Sequence, residues 1–139
     1  MVPADRSGHD QPMTLKVLIV DDSELIRASL ASLLEPIQSI AVHTAATLAQ
    51  ALESVRRGLA TLLILDIHLP DGNAIQSIRA LKQLAPGMQI AMFTNDVNEF
   101  NRKKSLGAGA DWFFDKSTEF ENLLDVVRKQ AALSSTIPT

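Results

Sequence analysis

The chain reads as an α/β domain built on a five-stranded, parallel, doubly wound sheet. Two observations predict this. Short apolar runs without polar alternation, at residues 15–20 and 62–65 above all, have the character of strands buried on both faces under helices. Stretches with helical periodicity alternate with these runs through short connections, which implies right-handed crossovers and helices on both sides of the sheet.

Residues 1–13 are polar and irregular and read as a disordered tail ahead of a domain spanning 14–133. The first strand, 15–20, ends on Asp21-Asp22. Ser23 caps a helix to residue 34 with Ile26, Leu30, Leu33 and Leu34 inward, stopped by Pro36. Residues 40–44 make a short strand, and Thr47 caps a second helix (Leu48, Ala51, Leu52 and Val55 inward) that runs out at Gly58. The next strand delivers Asp66 to a turn forced by Pro70 and Asp71-Gly72. A third helix, 74–84, carries Ile75, Ile78, Leu81 and Leu84 and ends before Pro86-Gly87. The strand 88–93 ends on Thr94, and a polar helix, 97–106, leads to Gly107-Ala108-Gly109-Ala110. The last strand, 111–115, reaches Lys116, and a helix over 118–131 turns Phe120, Leu123, Leu124 and Val127 inward before a frayed end at 134–139.

With 139 residues, 46% of them hydrophobic and 21% charged, the chain suits one domain with a real core. The absence of Cys excludes disulfides, thiol chemistry and Cys-based zinc sites, and fits a cytoplasmic protein. A net charge of −3, with no basic run beyond Arg102-Lys103-Lys104, argues against nucleic acid as a direct partner. No apolar run reaches membrane-spanning length and no signal region is evident, so no membrane partner is expected.

Four strands end on side chains with chemistry: Asp21-Asp22, Asp66, Thr94 and Lys116. In a doubly wound sheet those ends share one edge, where ligands bind. Taken singly, each has a bland explanation: helix caps for Asp21-Asp22 and Thr94, a solvated acid opening a turn for Asp66, a solvated lysine for Lys116. Jointly they point to one site. Carboxylates about 4 Å apart repel by about 4 kcal/mol per pair at an effective dielectric near 20. A hard divalent cation such as Mg²⁺, which takes oxygen ligands, removes that cost. The set suits phosphoryl transfer to a carboxylate. Asp66 would be the nucleophile, Asp22 and Asp66 would hold Mg²⁺ with Asp21 close by, and Lys116 and Thr94 would bind phosphoryl oxygens.

Over residues 15–132 the chain resembles the receiver domains of two-component response regulators, closest to the single-domain, chemotaxis-like type. The motifs are Val20-Asp21-Asp22-Ser23, Leu65-Asp66-Ile67-His68-Leu69-Pro70-Asp71-Gly72, Phe93-Thr94 and Gly109-Ala110-Asp111-Trp112-Phe113-Phe114-Asp115-Lys116. The resemblance implies a flavodoxin-like receiver fold of strand order 2-1-3-4-5. It also implies a sensor histidine kinase or histidine phosphotransfer protein as phosphoryl donor, and a downstream protein target. The backbone carbonyl of His68 would be a further Mg²⁺ ligand, Thr94 and Phe113 the switch, and the protein a monomer or a weak phosphorylation-dependent dimer. Such a domain catalyses only its own phosphorylation and dephosphorylation. Three residues depart from the family's pattern: Phe113 where Tyr is frequent, Asn95 where a small residue is usual, and Ser117 where Pro is usual.

Two other functions compete. A receiver that docks partners without being phosphorylated would fail to bind Mg²⁺. A Mg²⁺-dependent phosphatase using an aspartyl phosphate would usually carry a second acid two residues after the nucleophile, where this chain has His68. Further expectations are a trans Lys116–Ser117 bond, Phe113 and Phe114 on opposite faces with Phe114 in the core, and a partly exposed Trp112 beside the 97–106 helix.

Overall fold

The computed structural model describes residues 14–134. The expected tail and most of the expected frayed end lie outside them. Chain order is β1 (Leu15–Val20), α1 (Glu24–Leu34), β2 (Ile40–Ala45), α2 (Leu48–Arg56) and β3 (Leu62–Leu65). A small hairpin follows, β4 (His68–Leu69) with β5 (Gly72–Asn73), then a 3-10 turn (Ala74–Ser77) and α3 (Ile78–Leu84). The chain continues through β6 (Gln89–Thr94), α4 (Glu99–Ala108), β7 (Trp112–Asp115) and α5 (Phe120–Ser134).

The main sheet has order β2-β1-β3-β6-β7, every pairing parallel. With the hairpin set aside, this is the expected 2-1-3-4-5 order. β1 and β3 are apolar throughout except Lys16 because both faces are covered. One face packs Leu18, Val20, Leu63, Leu65, Ile90, Met92 and Phe113 against α2 and α3; the other packs Val17, Ile19, Leu62, Ile64, Phe93 and Phe114 against α1 and α5. Successive strand residues feed alternate layers, as the pleat requires.

Register builds the functional edge. Val20 pairs with both Ala45 and Leu65, so the next residues of β1 and β3, Asp21 and Asp66, emerge side by side. Thr94 pairs with Asp115, which places Lys116 beside the end of β6. The Lys116 N–H donates to the Thr94 carbonyl at 2.8 Å, and the Asp66 N–H to the Val20 carbonyl at 3.0 Å.

The structure adjusts several expectations. Leu33 and Leu84 are 49% and 43% exposed. Leu33 lies on the flank of an α1 stripe centred on Leu30 and Leu34, and Leu84 is the last residue of α3, beyond its buried Ile78 and Leu81. The third helix opens as a 3-10 turn, because Asn73 Oδ1 accepts from Ile75 N–H and the Ala74 N–H is held by the Ile67 carbonyl. α4 begins two residues later than expected, with Asn98 as its cap, and runs on to Ala108 before Gly109 turns the chain at φ +126°. α5 starts at Phe120 and takes in Ser134; Asp115 and Glu119 organise the approach, the Asp115 N–H donating to Glu119 Oε1 at 2.9 Å.

Phe113 and Phe114 do take opposite faces, but both are buried, at 5% and 9% exposure. Trp112 is half-buried on the α1/α5 face, whereas α4 contributes Ala108 to the opposite layer. It shares strand parity with Phe114, and that parity carries it away from α4.

Candidate functional site

The C-terminal ends of β1, β3, β6 and β7 open into a cleft of about 610 Å³ lined by Asp21, Asp22, Asp66, His68, Thr94 and Lys116 among others. Asp21, Asp66 and Thr94 are 3%, 8% and 1% exposed, so polar groups are held here at the limit of the core. Burial of that kind requires partners. Asp21 Oδ1 accepts from the Ser23 N–H at 2.9 Å, and Asp66 Oδ1 from the Ile67 N–H at 2.7 Å. Their other oxygens meet at Lys116, whose ammonium donates to Asp21 Oδ2 at 2.6 Å and Asp66 Oδ2 at 2.9 Å.

Burial of Lys116 pushes its amine down, but its hydrogen bonds to Asp21 and Asp66, with their charges, outweigh this and raise it above the ordinary lysine value. Its folded pKa exceeds the unfolded one, so the stabilisation is present below the unfolded value and is lost as pH rises through the folded one. At neutral pH the cleft therefore holds a fixed cation.

Asp22 is exposed, and one carboxylate oxygen from each of Asp21, Asp22 and Asp66 lies within 4.8 Å of the others. Three anionic oxygen donors on so small a radius, one of them facing solvent, fit a hard divalent cation.

What holds Lys116 without a proline after it is visible in the loop. Asp115 Oδ1 accepts from both the Ser117 N–H (2.9 Å) and the Ser117 hydroxyl (2.7 Å). The Ser117 hydroxyl and then the N–H hold the Asp115 carboxyl below its ordinary range. The described residues contain no cis peptide bond, so Lys116–Ser117 is trans.

On the opposite wall, the Thr94 hydroxyl oxygen accepts from the Asp96 N–H at 3.1 Å, which leaves its O–H free to donate. Asp96 was not singled out from the sequence, yet it joins two loops: its carboxylate lies 2.6 Å from His68 Nε2, and its carbonyl accepts from Asn101 Nδ2 at 3.1 Å. The bond to His68 is the largest influence lowering the Asp96 carboxyl below its usual value. His68 points its ring outward, 63% exposed, as a side chain at the rim. Asp71 also serves a purpose beyond its turn. Its carboxylate accepts from the Leu48 and Ala49 N–H groups at 2.8 and 3.0 Å, pinning the loop after β4 to the start of α2. Only the usual preference of helix N-termini for acids hints at such a contact. The pairing itself spans 23 residues.

Residues 17–128 match the profile of the response regulator receiver domain. The chain belongs to that family. Over 118 residues it is 28% identical to the response regulator protein VraR of Staphylococcus aureus (strain NCTC 8325 / PS 47), a match covering 84% of this chain and 56% of that protein. The chain thus spans little more than half the length of this curated relative. Among solved structures, a CheY-like receiver domain protein from Methanospirillum hungatei JF-1 is similar at 26% identity and TM-score 0.75, covering 87% of this chain and 96% of that one. The beryllofluoride-activated NtrC4 receiver domain dimer is similar at 28% identity and TM-score 0.75, covering 86% and 98%. As a receiver domain the chain has the five-stranded sheet, and its acidic cluster lies where the four strand ends converge.

Proposed function

We propose that this receiver accepts a phosphoryl group onto Asp66 from a histidine kinase or histidine phosphotransfer protein, and that the change in charge alters its contacts with a downstream protein. The observation carrying this reading is the Lys116 ammonium held between Asp21 and Asp66, with Asp22 completing the acidic cluster. In the transfer, the P–N bond to the donor imidazole breaks as a P–O bond to the Asp66 carboxylate forms. The imidazole leaves with the bonding electrons and is reprotonated by solvent.

Lys116 is already charged and fixed, so it neutralises developing phosphoryl charge without reorganisation. The Thr94 O–H donates to a second phosphoryl oxygen. Asp21, Asp22 and Asp66, with the His68 backbone carbonyl, are the ligands we assign to Mg²⁺. A bound Mg²⁺ supplies charge neutralisation to the transferring group. Phe113, behind Thr94 in the core, is the aromatic half of the switch. It carries no hydroxyl, so any movement changes packing without breaking a side-chain hydrogen bond. We place this reaction in the cytoplasm and expect it to be self-directed, with the protein a monomer or a weak dimer once phosphorylated.

Acetyl phosphate with Mg²⁺ should add one phosphoryl group by intact mass. That group should be absent in Asp66→Asn and in the presence of chelator. A label that survives either condition overturns the assignment.

A further inference from the structure

A second recess, about 540 Å³, lies away from the acidic cleft, between α4 and the segment formed by the 3-10 turn and α3. Three features set it apart. First, Arg79, Lys103 and Lys104 line it and, among the described residues, no acidic residue does, although Glu99 lies 3.9 Å from the Lys103 ammonium just outside it and the chain as a whole carries net charge −3. Second, Phe100 stands on its wall 68% exposed, with the Lys104 ammonium 5.6 Å from the ring centroid. A large aromatic surface left in water is costly unless something covers it.

Third, Gly107 sits in the last turn of α4 and lines the groove. A Cβ built there meets nothing within 4 Å, and its φ lies outside the left-handed range. Neither packing nor backbone geometry therefore requires glycine, which is the poorest helix former after proline. Its effect is to leave that end of the groove free of a side chain.

We propose that this groove docks an acidic segment of a partner protein. Carboxylates of that segment pair with Arg79 and Lys104, with Lys103 exchanging its Glu99 partner for one of them, and one apolar side chain seats against Phe100. Charge complementarity selects an acidic occupant. A protein segment is favoured over nucleic acid because the groove offers a single aromatic and the surrounding chain is net negative, which opposes a polyanion. The groove also connects to the cleft. Asn101, on its lining, donates to the Asp96 carbonyl, and the Asp96 N–H donates to the Thr94 hydroxyl. Docking stands independently of the phosphoacceptor reading; its coupling to Asp66 rests on that reading.

The test is amide NMR of the ¹⁵N-labelled full chain titrated with a short synthetic peptide of Asp and Glu around a central Leu. A peptide with Lys in place of the acids and a short single-stranded oligonucleotide are run beside it. The acidic peptide should give saturable shifts centred on Gln76, Arg79, Phe100, Lys104 and Gly107, with Kd below about 1 mM. Gly107→Glu and the pair Arg79→Glu with Lys104→Glu should each weaken binding at least about tenfold, which is 1.4 kcal/mol or more. Both should still be labelled by acetyl phosphate at the wild-type rate. Gly107→Ala should melt no lower than wild type, because its methyl meets open space.

No saturable shifts, shifts elsewhere, or equal binding of the basic peptide overturns the proposal. Tighter binding of the oligonucleotide overturns the choice of partner. A failed titration with intact Asp66 labelling sinks the docking alone, whereas lost labelling with intact docking sinks only the phosphoacceptor reading. In beryllofluoride and Mg²⁺ the peptide Kd should shift at least about threefold; an unchanged Kd removes the coupling.

Discussion

Replacing Lys116 by Met keeps the aliphatic stem and removes the charge between Asp21 and Asp66. In the wild type the two ion pairs offset both the cost of burying the ammonium and the repulsion between the carboxylates it bridges. What remains in the mutant is repulsion between two carboxylates whose oxygens lie within 4.8 Å. At an effective dielectric near 20 that repulsion is about 3.5 kcal/mol. With the ammonium gone, that repulsion disfavours the doubly ionised pair, so in the mutant one carboxyl holds its proton to higher pH. The sign follows from proton counting. A carboxyl raised in the folded state binds its proton there in preference to the unfolded chain, so the mutant loses stability as pH rises. The deficit relative to wild type should be about 3.5 kcal/mol at pH 7 and shrink as pH falls. It should be nearly gone at about pH 4. Urea unfolding at several pH values measures this directly. The deficit should fall to under about 1 kcal/mol when both proteins also carry Asp66→Asn, because the repulsion is then absent. Mg²⁺ at a hundredfold excess over its Kd should restore about 2.7 kcal/mol. A deficit that is flat between pH 7 and 4.5, or the same size in the Asp66→Asn background, would falsify the claim that Lys116 works as a counter-charge.

Other outcomes are open to simpler experiments. The Leu48 N–H, then the Ala49 N–H, holds the Asp71 carboxyl below its ordinary value, so its contribution to stability is present above about pH 4 and disappears as pH falls through the lower folded value. Asp71→Ala should therefore melt below wild type at pH 7 and converge with it in strong acid, as followed by circular dichroism; a pH-independent gap would contradict the cap. Ser105 is fully buried, and its hydroxyl has no partner among the described residues. Ser105→Ala should raise stability by about 1 kcal/mol in denaturant titration, and a loss would reveal a bond to that hydroxyl. Phe113→Ala should cost about 3–5 kcal/mol as a core truncation while leaving Asp66 open to acetyl phosphate. A cost below about 1 kcal/mol would place the ring outside the core.

Much of the site was legible because buried parallel strands announce where they stop. An apolar run covered on both faces can end on Asp21 or Asp66 only at an open edge, and once the sheet is parallel all such edges coincide. Thr94 and Lys116 could be read by the same logic, and the family's motifs supplied the strand order that periodicity leaves open. Trp112 shows the limit of that reading. Alternation separates it from Phe113, but which helix covers which face is settled only when the crossovers pack.

The Asp71 cap on α2, the Asp96–His68 contact and the Asp115–Ser117 turn that seats Lys116 were likewise beyond sequence pattern. Periodicity encodes which residues share a face of one element, because that depends on the local geometry of the backbone. It carries no information about which loops meet across the end of the sheet. Those meetings depend on the lengths and directions of whole elements, and so the supports of the site, unlike its reactive groups, were decided by the tertiary structure.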